Sequence, residues 1–70
     1  MDYTQVPERL RTGNRVRVVE SFDGLPIGVE GTVISHNCLE IRIRYDVGCI
    51  MTVGITTADR CLTTARRLTG

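Results

Sequence analysis

The chain has 70 residues, with nine Lys+Arg against eight Asp+Glu, a formal net charge of +1 and 41% hydrophobic residues. That length allows one small domain, which buries only about 60% of the surface its unfolded chain exposes. The balance excludes a disordered chain and a dedicated polycationic binder, and no apolar run approaches the ~20 residues of a bilayer span. Val, Ile and Thr together supply 23 residues, whereas Ala occurs only at Ala58 and Ala65. β-Branched side chains lose rotamer freedom in helices and pack well on a pleated surface, so the chain reads as all-β. Every cation is Arg and none is Lys. Met1 to Gln5 lacks the basic and apolar pattern of a signal peptide, and three cysteines cannot complete a disulfide framework. Free thiols in a cytoplasmic protein are expected.

Residues 1–12 form a lead-in. Pro7 followed by Glu8-Arg9-Leu10-Arg11 permits one helical turn, which Gly13 ends and which lays Val6 or Leu10 over one end of the core. Arg15 to Glu20 alternates with period two, with Val16 and Val18 inward and Arg15 and Arg17 outward. Ser21 to Gly28 reads as a loop around Asp23-Gly24 and Leu25-Pro26. A second strand runs from Val29 to Ser35, with Gly31 marking a bulge, a bend or a close backbone approach.

Leu39 to Tyr45 is the clearest strand. Leu39, Ile41, Ile43 and Tyr45 share one face, and Glu40, Arg42 and Arg44 the other. Asp46-Val47-Gly48 turns it into a hairpin with Ile50 to Val53. The tail supports two readings. Helical spacing of Ala58, Cys61, Leu62, Ala65 and Leu68, with Thr56-Thr57-Ala58-Asp59 resembling a capping box, makes 57–68 a helix. Alternatively, a helical turn over Asp59-Arg60 precedes a closing strand at 62–66. A barrel needs that strand to remove its edges, so turn plus strand is favoured.

Gly13-Asn14-Arg15-Val16-Arg17-Val18-Val19, followed by Gly24, Gly28 and Gly31-Thr32-Val33, resembles the opening of small Src-homology-3-like barrels, including KOW-type modules. Ile41-Arg42-Ile43-Arg44-Tyr45-Asp46-Val47-Gly48 is similar to the hairpin of a small bacterial and phage domain family that shares this barrel. The resemblance covers about residues 13–62 and implies one five-stranded barrel over 13–70. The expected strands are 15–20, 29–35, 39–45, 50–53 and 62–66, around a core of Val16, Val18, Val33, Ile41, Ile43, Val53 and Leu62. KOW-type modules often contact RNA or RNA polymerase, but fold analogy alone is a weak guide to function.

His36, Cys38, Cys49 and Cys61 are the one set with metal-ligating chemistry. Cys38 and Cys49 fall at opposite ends of the third strand, roughly 20 Å apart at about 3.3 Å per residue, too far for joint zinc ligation. The single His has no evident orienting partner, and carboxylates are scattered singly, so no enzyme, metal or cofactor is expected. The leading expectation is a protein-interaction module or accessory protein. Its apolar loop residues Phe22, Leu25 and Ile27 either cap the open end of the barrel or form an exposed patch for a partner or a second copy of the chain. The alternative is weak binding of RNA or another single-stranded nucleic acid through Arg15, Arg17, Arg42 and Arg44. Few aromatic residues, only 4%, argue against a base-stacking platform.

Overall fold

A computed structural model describes residues 6–65. A short 3-10 helix, Glu8–Leu10, precedes strands β1 (Arg15–Val18), β2 (Glu30–His36), β3 (Glu40–Tyr45) and β4 (Ile50–Gly54). Helix α1 (Ile55–Cys61) and strand β5 (Leu62–Thr64) follow. All pairings are antiparallel, in the order β4-β3-β2-β1-β5.

Period-two patterning drives this arrangement. Val16 and Val18, Val33, Ile41 and Ile43, and Val53 point to one side and are buried, as is Leu62 at the start of β5. The expected core is therefore present in full. Val6 and Leu10 of the lead-in are buried in the same cluster, joined by Leu25, Tyr45 and Ala58. Asn14 ties the lead-in down, its side-chain amide donating to the Glu8 carbonyl at 2.7 Å and the Arg11 carbonyl at 3.2 Å.

Closure into a barrel is not observed. Among the described residues β4 and β5 do not pair, so the sheet is open with two free edges. The connection between β4 and β5 also differs from expectation. The helix extends over Ile55–Cys61, well beyond a single turn at Asp59-Arg60, and packs against β3, β4 and β5. Ala58 and Cys61 are its buried residues. Its N-cap is Gly54 and makes no side-chain hydrogen bond, so the Thr56–Asp59 capping box does not form. Beyond Thr64 the expected closing strand does not continue into Ala65, and Arg66 lies outside the described residues.

Three local features also differ from expectation. β1 ends at Val18, and Val19 is exposed. Leu39 precedes β3 and is 75% exposed, because Asn37 Oδ1 accepts the Leu39 and Glu40 N–H groups at 2.8 and 2.9 Å and holds the chain in a turn there. The bulge in β2 falls between Val33 and Ser35 rather than at Gly31. Gly31 instead marks a close approach: a Cβ there would stand 2.7 Å from the Arg44 carbonyl oxygen and 2.9 Å from Tyr45 Cα.

Candidate functional site

The outer face of the sheet carries the arginines. Cross-strand register sets Arg15, Thr32, Arg44 and Ile50 in one row, with Ser35, Arg42 and Thr52 in another. Their charges are not equivalent. Arg15 donates to both Asp46 carboxylate oxygens at 2.8 and 2.6 Å and reaches Glu30 at 3.4 Å. The Arg15 hydrogen bond holds the Asp46 carboxyl below its ordinary range, and the same bond raises the Arg15 guanidinium. Arg17 pairs with Glu30 at 3.2 Å. Arg42 and Arg44 make no ion pair among the described residues. The expected patch of four cations thus reduces to two with unspent charge.

The loop residues separate in the same way. Asp23 and Gly24 both have positive φ, 50° and 81°, and the Leu25 N–H donates to the Phe22 carbonyl at 2.9 Å. This is a tight two-residue turn of the primed type, which folds the loop back on itself. As a result Leu25 is buried in the core and Phe22 packs half-buried against it. Ile27 alone of the three stays exposed, at 67%. Leu25 is therefore a core residue and not part of an exposed patch.

A feature the sequence reading missed is the edge formed by β4. The Ile55 N–H donates to the Leu39 carbonyl at 2.9 Å and the Tyr45 N–H to the Cys49 carbonyl at 2.8 Å, at the two ends of the β3–β4 ladder. Hydrogen-bonded pairs alternate in an antiparallel ladder. The pairs Ile41–Val53 and Ile43–Met51 are then the bonded ones, and the backbone groups of Ile50 and Thr52, with the Gly54 N–H, point away from β3. The segment Ile50–Gly54 contains no charge and no proline, the usual guards of an exposed edge. The other edge is blunted: β5 has only three residues, and Arg9 reaches the Leu62 carbonyl at 3.5 Å. Barrel closure would have hidden β4, which is why its composition carried no signal in the sequence.

Beside β4 the outer face forms a hollow of about 250 Å³ lined by Ser35, His36, Asn37, Glu40, Ile41, Arg42 and Thr52. The β2 bulge puts Ser35 opposite Arg42 there. His36 Nδ1 accepts the Thr12 backbone N–H at 2.9 Å, and the Thr12 hydroxyl lies 2.7 Å from the same nitrogen. A backbone N–H can only donate, so the neutral ring carries its proton on Nε2.

Cys38 and Cys49 are exposed and Cys61 is buried, and all three are free thiols. Cys61 Sγ lies 3.7 Å from Glu20 Oε1. Among the described residues no group of three or more His, Cys, Asp or Glu side chains is placed to hold a metal ion. Tyr45 is 1% exposed, and its hydroxyl has no hydrogen-bond partner among the described residues. Burial pushes this phenol up to about 12. No described helix is long and apolar enough to cross a membrane. No family model, curated protein or solved structure matches the chain.

Proposed function

We propose that this chain is a non-enzymatic interaction module on a small Src-homology-3-like scaffold, and that a protein partner adds a strand to the free edge of β4. The meander of β1 to β4, followed by a helix and a last strand returning to β1, supports the scaffold reading. The observation that carries the function is the edge itself: outward N–H and C=O groups on Ile50 and Thr52, unguarded by charge or proline. Free thiols fit a reducing compartment such as the cytoplasm.

The surroundings define the partner segment. Neighbouring strands lie about 4.8 Å apart, so an added strand runs roughly 10 Å from β3. Its inward residues would meet Met51 and Ile55, which are only partly buried against the core, and should be apolar. Its outward residues would lie within reach of Arg44, which has no carboxylate partner among the described residues, and should be acidic. The partner is an extended segment that alternates apolar and acidic residues.

The probe is an approximately ten-residue peptide alternating Val and Glu, compared by amide NMR with one alternating Val and Lys. Shifts centred on Ile50, Thr52 and Gly54 for the acidic peptide, and weaker ones for the basic peptide, are expected. Thr52→Pro removes an outward N–H without touching the β3 ladder, and should fold but lose binding. Arg44→Glu should reverse the peptide preference, and decides the matter if the proline variant does not fold. Shifts confined to Phe22–Ile27, or undiminished binding by a folded Thr52→Pro, would overturn the edge reading.

A further inference from the structure

We infer that the hollow between β2, β3 and β4 is a binding site for inorganic phosphate in its protonated, hydrogen phosphate form. Asn37 Oδ1 accepts two backbone N–H groups, from Leu39 at 2.8 Å and Glu40 at 2.9 Å. Its acceptor end is thereby committed to the turn, and the free end is the NH2 donor. His36 repeats the pattern: Nδ1 is held by Thr12, leaving Nε2–H as the unspent group. Ser35 and Thr52, both hydroxyl-bearing, belong to the same lining. Arg42 adds a guanidinium that no described carboxylate neutralises.

Donors therefore dominate the hollow, which suits an oxyanion. Size narrows the class. At about 250 Å³ the hollow is below the range of about 300–1,000 Å³ typical of drug-sized ligands, and has room for a small tetrahedral ion. Charge narrows it further. A polyanion would need a row of free cations, but Arg15 and Arg17 are bound to Asp46 and Glu30. The remaining discriminator is Glu40, the one carboxylate in the lining. A carboxylate repels an oxyanion that has no proton, yet accepts a hydrogen bond from one that carries an O–H. Hydrogen phosphate has that O–H at neutral pH. Sulfate and phosphodiesters do not. The site requires no partner strand, so it stands or falls separately from strand addition at β4.

The test is titration of the isotope-labelled chain near neutral pH with sodium phosphate, sodium sulfate and dimethyl phosphate at matched ionic strength, read by amide NMR. Saturable shifts with phosphate are expected at the Asn37 side-chain amide, His36 and Thr52. A charge-assisted hydrogen bond of about 1.5–3 kcal/mol predicts at least about tenfold tighter binding of phosphate than sulfate. Glu40→Gln should erase most of that preference. Asn37→Asp keeps the oxygen that caps the turn while replacing the NH2 donor by a charged acceptor, so it should fold and lose phosphate. Arg42→Gln should weaken every anion alike. Equal shifts with sulfate and phosphate, non-saturating shifts, or unchanged phosphate binding in a folded Asn37→Asp variant would overturn the assignment. Stronger binding of dimethyl phosphate than of phosphate would overturn it in favour of a nucleic-acid backbone.

Discussion

Tyr45→Phe isolates the most unusual energetic feature of this core. The ring is 1% exposed and contributes to the buried cluster, but its hydroxyl has no partner among the described residues. A buried polar group left unpaired costs about 1–3 kcal/mol. Phe keeps the ring and removes the cost, so stability near neutral pH should rise by about 1 kcal/mol, or about 4–8 °C in Tm for a domain of this size. The alkaline side gives an independent check. The phenol is pushed up to about 12 in the folded chain by burial, with smaller contributions from nearby Cys49 and Asp23. The unfolded chain releases that proton near 10, so the folded state binds more protons between the two values. Stability is therefore fully present below about pH 10 and falls as pH rises toward about 12, by at most roughly 2.7 kcal/mol. The chain has no lysine to obscure this window, and Tyr3 and the three thiols are common to both proteins and cancel. Urea unfolding at several pH values between 8 and 12, for wild type and Tyr45→Phe, measures both effects. A Tyr45→Phe protein that is less stable by more than 1 kcal/mol at neutral pH, or one that keeps the wild-type alkaline slope, would refute the reasoning.

Gly31→Ala should destabilise by about 1–3 kcal/mol, because the new methyl meets the Arg44 carbonyl at 2.7 Å and Ile43 Cγ2 at 2.9 Å, and backbone must shift; denaturant melts report it. Ile43→Ala empties a fully buried position and should cost about 2–5 kcal/mol in the same assay. Asp46→Asn removes the carboxylate that Arg15 holds below its ordinary range. That carboxylate stabilises the fold above the unfolded value of about 4 and loses this effect as pH falls through its lower folded value. The Tm gap between wild type and Asp46→Asn should therefore be widest near neutral pH and close in acid. For nucleic acid, Arg42 and Arg44 are the two of the four outward sheet arginines without an ion pair among the described residues, so single-strand affinity through that face should fall with salt at a log–log slope of about −1.4, twice 0.7. Anisotropy titrations giving a slope near −2.8 that Arg15→Gln and Arg17→Gln together return to about −1.4 would show that these two abandon their carboxylates.

The interior of this chain was legible from its amino acids. Val16 and Val18, Val33, Ile41 and Ile43, and Val53 alternate with polar residues, and only a strand converts that alternation into one apolar face. Asp46, Gly48 and Asp23-Gly24 marked their turns because few residues accept the backbone those turns require. Gly31 stood out as a glycine inside a strand, although sequence could not separate a bulge from the close approach to β3 that requires it. The exterior was decided elsewhere. Outward Arg15 and Arg42 look alike as letters, yet Asp46 and Glu30 lie 31 and 15 positions from Arg15 and only the folded register brings them to it. Leu25 and Ile27 are equally apolar, and the turn at Asp23-Gly24 buries one and exposes the other. Whether β4 is an edge depended on whether it meets β5, a pairing between segments that no local pattern decides. The hollow depended on Thr12, Asn37 and a β2 bulge acting together. Local backbone preference and side-chain alternation are written in short stretches of sequence. Charge pairing, edge exposure and the direction of a free donor arise only when stretches far apart in the chain meet.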